Sequence, residues 1–217
     1  MIHTVIFDMD GVLIDTEPLH RHAFFTQFAE LGIAVSVAEY ATFLGQSTRN
    51  VFQHLQQQFG LGQDVEALLL RKRALFNEAF DTDATLDLLP GARALLDDLR
   101  QHSVPLALAS SASNATIGRV FARFGLAPYF GPRVVSGEDF PRSKPDPAIF
   151  LRAAELAGAP PAACVVIEDS ENGVAAAKAA GMYCIGYASP HSTGQNLHLA
   201  DRVIQHFSEL SAADFAS

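Results

Sequence analysis

The feature that most constrains this chain is a short apolar run that ends in a carboxylate-rich turn. Residues 4–7 read Thr-Val-Ile-Phe and are followed at once by Asp8, Asp10 and Gly11. A short apolar run bounded by a turn signal is typical of a buried strand. Asp8 and Asp10 are two residues apart, so an extended backbone places both on one face, and Gly11 allows a sharp turn beyond them. Because an unpaired buried charge is costly, these carboxylates must be paired or must hold a metal.

Composition narrows the class of protein. The 217 residues suffice for one full domain and a small second one. A net charge of −9 argues against a nucleic-acid partner. No apolar run approaches the roughly 18 residues of a membrane span, and no signal peptide is recognisable. We therefore expect a cytoplasmic monomer that acts on a small molecule and contacts neither membrane nor nucleic acid. Cys164 and Cys184 lie in apolar runs and are predicted to be small buried thiols.

The predicted pattern of secondary structure changes twice along the chain. Residues 16–87 are helical in pattern and poor in strand signals, whereas strands and helices alternate in the remainder. Such alternation predicts an α/β fold, a Rossmann-like doubly wound parallel sheet with helices on both faces. We expect an α/β core domain of residues 1–15 plus 88–217 and an inserted all-α helical cap domain of residues 16–87. Helices are predicted at 16–31, 37–44, 48–59 and 65–80, strands at 104–109, 133–135, 163–167, 183–187 and 203–204, and a terminal helix near Leu210.

Three further polar groups follow predicted strands or enter a helix: Ser110, Lys144, and Glu168 with Asp169. In a doubly wound sheet they converge on Asp8 and Asp10. Two carboxylates about 4 Å apart repel by about 4 kcal/mol at an effective dielectric near 20, so the cluster needs a cation. Oxygen ligands without a His or Cys set favour Mg²⁺ over zinc. Lys144, the Ser110 hydroxyl and helix N-terminal N–H groups would form an anion pocket beside it. This combination indicates phosphoryl transfer.

These motifs carry a resemblance to a known family. Residues 8–17 (DMDGVLIDTE), the Ser110 region, residues 143–147 (SKPDP) and residues 167–173 (IEDSENG) resemble the four ordered motifs of the haloacid dehalogenase-like superfamily. Within this superfamily, the motifs most resemble the β-phosphoglucomutase and sugar-phosphatase branch. The resemblance covers essentially the whole chain. The resemblance implies a Mg²⁺-dependent phosphatase of small phosphate monoesters, such as sugar phosphates.

The resemblance also implies roles for individual residues. Asp8 would be the nucleophile that becomes an aspartyl phosphate, and Asp10 the general acid and base. Mg²⁺ would be held by Asp8, the carbonyl of Asp10 and Asp169, with Glu168 close behind. Two simpler interpretations stay open: Ser110 as a helix cap, and the Glu168–Asp169 pair as charges that favour a helix N-terminus. The residues implied to hold the phosphoryl oxygens are Ser110 and Lys144, with Ser111 and Asn114 in the same loop.

Cap residues are implied less directly. Thr16 and His20 match positions that serve the acid–base step and cap closure in mutase relatives, and Arg49 matches an arginine that grips the non-transferring phosphate. Thr16 is also a good helix N-cap and His20 a common surface residue. Lys72 could reach the cleft, but the Arg71-Lys72-Arg73 run favours a solvated basic face.

One departure from the family pattern bears on the reaction. Mutase relatives carry lysines where this chain has Gly45 and Ser113. A mutase must hold a bisphosphorylated intermediate, so the loss of two positive charges favours a phosphatase. A hexose-phosphate mutase of the β-phosphoglucomutase type stays open as an alternative, since Arg49 is present. A catalytically idle binding or regulatory domain with the same fold is the alternative from another class.

Overall fold

The computed structural model describes residues 4–44, 46–188 and 194–216. The chain divides into two compact units, one of residues 16–86 and one of residues 1–15 together with 87–217. The former is helical and the latter is an α/β unit. Each is described by itself.

The helical unit has an aromatic core. Phe24, Phe28 and Phe52 are buried. The ring centroid of Phe24 lies 5.7 Å from that of Phe28 and 5.7 Å from that of Phe52. The left-handed backbone of Gly32, with φ of 67°, ends the first helix as predicted. The second helix is shorter than the predicted 37–44, and Gly45 lies outside the described residues. The helices of this unit are α1 (Glu17–Leu31), α2 (Val37–Ala41), α3 (Thr48–Phe59) and α4 (Val65–Thr82).

The α/β unit is built on one sheet, within the described ranges. Its strands are β1 (Thr4–Phe7), β2 (Leu106–Ser110), β3 (Val134–Ser136), β4 (Cys164–Glu168), β5 (Tyr183–Tyr187) and β6 (Arg202–Ile204). Its helices are α5 (Ala92–Gln101), α6 (Asn114–Phe124), α7 (Ala127–Phe130), α8 (Ala148–Ala157) and α9 (Glu171–Ala179). The strand order is β3-β2-β1-β4-β5-β6, and every neighbouring pair is parallel. The predicted doubly wound parallel sheet is confirmed.

The central strands are continuous apolar runs because both faces of the sheet are covered. All residues of β1, β2 and β4 are buried. Ile6, Ala107 and Val166 of these three strands pack in one core cluster with Phe150 of α8 and Val174 of α9. Since the strands are parallel, their carboxyl ends meet at one edge of the sheet. That edge holds the polar residues that follow each strand.

The carboxyl-terminal segment differs from its prediction. The helix expected near Leu210 is wrong: two short 3-10 turns, Phe207–Glu209 and Ala212–Phe215, flank Leu210 instead. In each turn a side-chain carboxylate accepts a hydrogen bond from a backbone N–H, as Glu209 Oε1 does from His206 at 2.9 Å. Such local bonds compete with helix extension. Cys164 and Cys184 are buried thiols, as predicted. No helix of the described part of the chain is long and apolar enough to cross a membrane.

Candidate active site

Asp8 lies immediately beyond β1 at the carboxyl edge of the sheet. Its backbone N–H donates to the carbonyl of Ile167 in β4 at 3.0 Å, and its side chain is buried. The chain then turns at Gly11, whose φ of 79° is left-handed. A methyl group at Gly11 would lie 2.0 Å from Oδ2 of Asp169. Glycine is therefore required at position 11 for two reasons: the left-handed backbone conformation and the close approach of the Asp169 carboxylate.

Lys144 joins three strand ends. Its Nζ donates to Oδ1 of Asp8 at 2.6 Å, to Oε1 of Glu168 at 2.8 Å and to the carbonyl of Ala109 in β2 at 3.2 Å. The lysine side chain is only 5% exposed, and Nζ lies 4.7 Å from the ring centroid of Phe150. The structure thus brings together Asp8, Lys144 and Glu168, which are far apart in sequence.

The electrostatics of this cluster are unbalanced. The pKa of Asp8 is raised from its ordinary 3.8 to about 7; burial is the main cause, Lys144 opposes the rise, and Glu168 and Asp10 contribute to it. Although burial lowers the pKa of Lys144, the Asp8 and Glu168 carboxylates raise it above its ordinary value. The lysine is therefore held protonated between two carboxylates while Asp10 and Asp169 lie at the same edge. The excess of negative charge favours a bound cation.

The residues at this edge fit a Mg²⁺ site, with one difference from the expected arrangement, which concerns Glu168. Lys144 contacts Oδ1 of Asp8, which leaves Oδ2 as a metal or phosphoryl contact, and Asp169 closes on the turn at Gly11. Glu168 is differently engaged: Oε1 accepts from Lys144, and Oε2 accepts from the backbone N–H and the hydroxyl of Ser170 at 2.8 and 2.9 Å. Glu168 thus anchors the lysine, and its expected place near the metal stays a prediction.

The number of side-chain ligands is also consistent with Mg²⁺. Within the described ranges, no three His, Cys, Asp or Glu side chains form a metal cluster by themselves. Mg²⁺ usually keeps several waters and binds through one or two carboxylates plus substrate phosphate oxygens. Asp8 and Asp169 with the carbonyl of Asp10 would supply such a site.

The loop after β2 is held by an element that the sequence analysis missed. Ser110 is fully buried, and its Oγ accepts the N–H of Ala112 at 3.1 Å. Oγ of Ser136 donates to the carbonyl of Ala112 at 2.7 Å, and a methyl group at Gly137 would lie 3.0 Å from Cα of Ser111. The turn that follows β3 therefore packs directly on the Ser110 loop. A glycine and acidic residues directly after a strand are the sequence signal that could have identified this turn. Polar residues directly after a strand were the signal used at the other strand ends.

Asn114 and Ser111 are placed differently from Lys144. The N–H of Asn114 donates to Oε2 of Glu138 at 3.1 Å, and its side-chain amide donates to Oδ1 of Asp139 at 3.2 Å. Oγ of Ser113 accepts the N–H of Thr116. These two N–H groups of the α6 N-terminus already have protein acceptors, so they do not contribute to the expected anion pocket. Ser111 is exposed beside Ser110.

The cap residues belong to the helical unit. Thr16 precedes α1 and is buried, but its side chain makes no capping hydrogen bond; its carbonyl accepts the N–H of His20 at 2.9 Å. The ring of His20 stacks on Phe76 at a centroid distance of 4.5 Å, and its Nδ1 contacts Nζ of Lys72. Arg49 makes an exposed ion pair with Glu66 at 2.6 Å.

The solvated position favoured for Lys72 is wrong. Lys72 is buried, and its Nζ lies 4.9 Å and 5.3 Å from the ring centroids of Phe24 and Phe76. The aromatic faces and the imidazole of His20 stabilise the buried ammonium group. The neighbouring Arg71 pairs instead with Glu30 on the surface. A run of three basic residues on a helix therefore divides between core and solvent, as the helical period requires.

The site is therefore a cluster of carboxylates and one lysine at the carboxyl edge of a parallel sheet. The family model of haloacid dehalogenase-like hydrolases matches residues 2–181. This chain belongs to that family.

Three individual proteins illustrate which members of the family this chain is similar to. Hexitol phosphatase B of Escherichia coli (strain K12) is 33% identical over 220 residues, which cover 98% of this chain and 96% of the relative. The chloroplastic protein SUPPRESSOR OF QUENCHING 1 of Arabidopsis thaliana is 34% identical over 85% of this chain, which spans only 18% of that protein's length. The crystal structure of β-phosphoglucomutase from Clostridium difficile has a TM-score of 0.84 and 25% identity, and the match covers 97% of this chain and 94% of that one.

Proposed function

We propose that this protein is a Mg²⁺-dependent phosphatase that hydrolyses small phosphate monoesters, such as sugar phosphates, through an aspartyl phosphate at Asp8. The observation that carries the proposal is the buried contact of Lys144 with both Asp8 and Glu168 at the carboxyl edge of the sheet. Such an arrangement presents one carboxylate oxygen and one ammonium group to the same small volume. Those are the groups that phosphoryl transfer to a carboxylate needs.

In this proposal, the reaction has two steps, formation and hydrolysis of the aspartyl phosphate, and each residue has a role in them. Lys144 donates to the Asp8 carboxylate, and we assign the attack on phosphorus to this carboxylate. Asp10 donates a proton to the leaving alcohol oxygen, and its carboxylate then removes a proton from the water that attacks the aspartyl phosphate. Lys144 and the Ser110 hydroxyl hold oxygens of the transferring phosphoryl group. Mg²⁺, when bound by Asp8, the Asp10 carbonyl and Asp169, neutralises charge between the carboxylate and the phosphate.

We assign substrate choice to the helical unit. It carries Thr16, His20 and Arg49, and the ion pair of Arg49 with Glu66 is exposed, so the arginine can exchange its partner for a phosphate at small cost. In this proposal residues 16–86 act as the cap and the α/β unit as the catalytic core.

An observation in favour of the mutase alternative is the likeness to a β-phosphoglucomutase structure. The structure of the α6 N-terminus supports hydrolysis instead. Ser113, at one of the two positions where mutase relatives carry lysine, is buried and caps α6 through Oγ. A lysine could not replace that bond, so this loop is built around the serine.

Phosphate release from a panel of esters tests the proposal. The panel contains hexitol, hexose and pentose phosphates with and without Mg²⁺, and β-glucose 1-phosphate with a bisphosphate primer. We expect Mg²⁺-dependent free phosphate from several esters and no glucose 6-phosphate from the primed reaction. Glucose 6-phosphate with little free phosphate would establish the mutase. No turnover of any ester would leave the idle binding domain as the better description.

A further inference from the structure

We propose that Gly173 and Ser170 are positioning residues that fix Lys144 through Glu168. This inference rests on the proposed function, because it assigns Lys144 to the phosphoryl group. Glu168 is the last residue of β4, and Ser170 is the N-cap of α9. Both residues lie in the IEDSENG stretch of residues 167–173.

Ser170 holds the Glu168 carboxylate from one side. Its N–H and hydroxyl both donate to Oε2, and its Oγ accepts the N–H of Gly173 at 3.0 Å. The other oxygen, Oε1, is thereby directed to Nζ of Lys144. The lysine in turn donates to Asp8. A continuous set of hydrogen bonds therefore runs from the first turn of α9 to the proposed nucleophile.

Gly173 makes the space that this carboxylate occupies. A methyl group at Gly173 would lie 1.7 Å from Oε1, 1.9 Å from Cδ and 2.4 Å from Oε2 of Glu168. The backbone of Gly173 is helical and its φ is not positive, so no conformational need for glycine exists there. Alanine is the better helix former, which makes the glycine unfavourable for α9 itself. The carboxylate of Glu168 is the physical reason for a glycine at this position.

The consequence for catalysis follows from the close fit. Any side chain at position 173 must displace the Glu168 carboxylate from Ser170, from Lys144, or from both. The buried lysine then loses one of its two anionic partners and changes its position relative to Asp8. A displacement of about 1 Å in a catalytic group can lower a rate by about 100-fold.

The test compares two glycine-to-alanine substitutions in helices. Gly173→Ala is expected to lower kcat/KM for the best ester by about 100-fold. Gly118→Ala in α6 is the matched control, because a methyl group there meets no atom within 4 Å. We expect the control to keep wild-type kcat/KM and to unfold at the same temperature or higher.

A double-mutant cycle separates positioning from general damage. Glu168→Asp shortens the side chain by one methylene and withdraws the carboxylate from position 173. In that background, Gly173→Ala is expected to cost much less than in the wild-type background, even though Glu168→Asp itself lowers activity. Equal costs in both backgrounds would overturn the proposal. If Gly173→Ala alone does not fold, recovery of folding in the double variant supports the clash with Glu168, and failure to recover contradicts it.

A second readout does not depend on turnover. Brief amine acetylation followed by peptide mass spectrometry measures access to Lys144, with the partly exposed Lys178 as internal reference. We expect Lys144 to be protected in the wild type and in Gly118→Ala, and to be acetylated faster in Gly173→Ala. Protection that is unchanged in Gly173→Ala would overturn the inference. If no ester is hydrolysed, the proposed function fails while this measurement still decides the positioning role.

Discussion

Two ion pairs, one in each unit of the molecule, hold their charges in opposite ways. In the α/β unit, Lys144 is 5% exposed and contacts two buried carboxylates. In the helical unit, Arg49 is 48% exposed and its partner Glu66 is 62% exposed. A buried ion pair persists only where the surrounding structure fixes its geometry, whereas an exposed pair contributes little and breaks easily. Under the proposed function, the buried Lys144 cluster is a fixed reaction site, whereas the exposed Arg49 remains available to a ligand.

The largest expected effect comes from removal of the buried cation. Lys144→Ala leaves Asp8 and Glu168 without their shared partner, so we expect kcat/KM for phosphate release to fall by about 1,000-fold. We also expect the metal-free protein to lose about 3–5 kcal/mol of unfolding free energy, the usual cost of breaking a buried pair on one side. Urea unfolding and steady-state kinetics check the two expectations.

The matched control for Lys144 lies in the same unit. Lys178 pairs with Asp201 at 2.6 Å, but both side chains are about one-third exposed. Lys178→Ala should keep kcat/KM near the wild-type value and should cost much less stability than Lys144→Ala. Equal losses from the two substitutions would mean that burial of Lys144 is not what distinguishes the site.

The second expected effect is a pH dependence of stability that Mg²⁺ reverses. The pKa of Asp8 is raised by burial from 3.8 to about 7 in the folded protein. A raised carboxyl pKa stabilises the fold at pH values below the unfolded pKa, and this stability is lost as pH rises through the folded pKa. In chelator, we expect the unfolding free energy to fall between about pH 4 and pH 8, with up to about 4 kcal/mol due to Asp8.

Comparison with a variant isolates the contribution of Asp8 to that profile. Asp8→Asn should remove this part of the decline, because the amide does not titrate in this range. Mg²⁺ should restore stability above pH 7 in the wild type and much less in the variant. Parallel profiles for the two proteins in chelator would contradict the assigned origin of the pKa shift.

The smallest effect is expected in the helical unit. Because the Arg49–Glu66 pair is exposed, Arg49→Ala should leave the unfolding free energy unchanged within error. If Arg49 binds a distant group of the substrate, KM for a bisphosphorylated or larger sugar phosphate should rise about tenfold, while hydrolysis of a minimal ester stays unchanged. Glu66→Gln releases the arginine and should lower KM for the same substrates. A loss on the minimal ester equal to that on the large one would remove Arg49 from substrate choice.

The sequence predicted the sheet and the meeting of its polar strand ends because both follow from regular rules. Apolar runs identify buried strands, and the carboxyl ends of parallel strands share one edge. Asp8, Ser110 and Glu168 each follow such a run directly, so their place at that edge could be read from the pattern. Lys144 lies in a loop, but its position before α8 directs it to the same edge.

Other features could not be predicted because they depend on contacts between side chains. The bonds of Ser136 and Glu138 to the Ser110 loop have no period in the sequence. The burial of Lys72 depends on which face of α4 meets Phe24, and a local run of basic residues does not report it. The steric need for Gly173 appears only when the path of the Glu168 side chain is known.

The most direct test of the proposed chemistry is phosphate release by Asp8→Asn, measured with saturating Mg²⁺ on the best ester of the panel. The substitution keeps the shape of the side chain but removes its nucleophilic oxygen. We expect a loss of about 1,000-fold or more, together with a phosphoryl group on the Asp8 peptide of the acid-quenched wild-type enzyme and none on that of the variant. Retention of more than about 1% of activity by a folded Asp8→Asn protein would contradict the covalent mechanism.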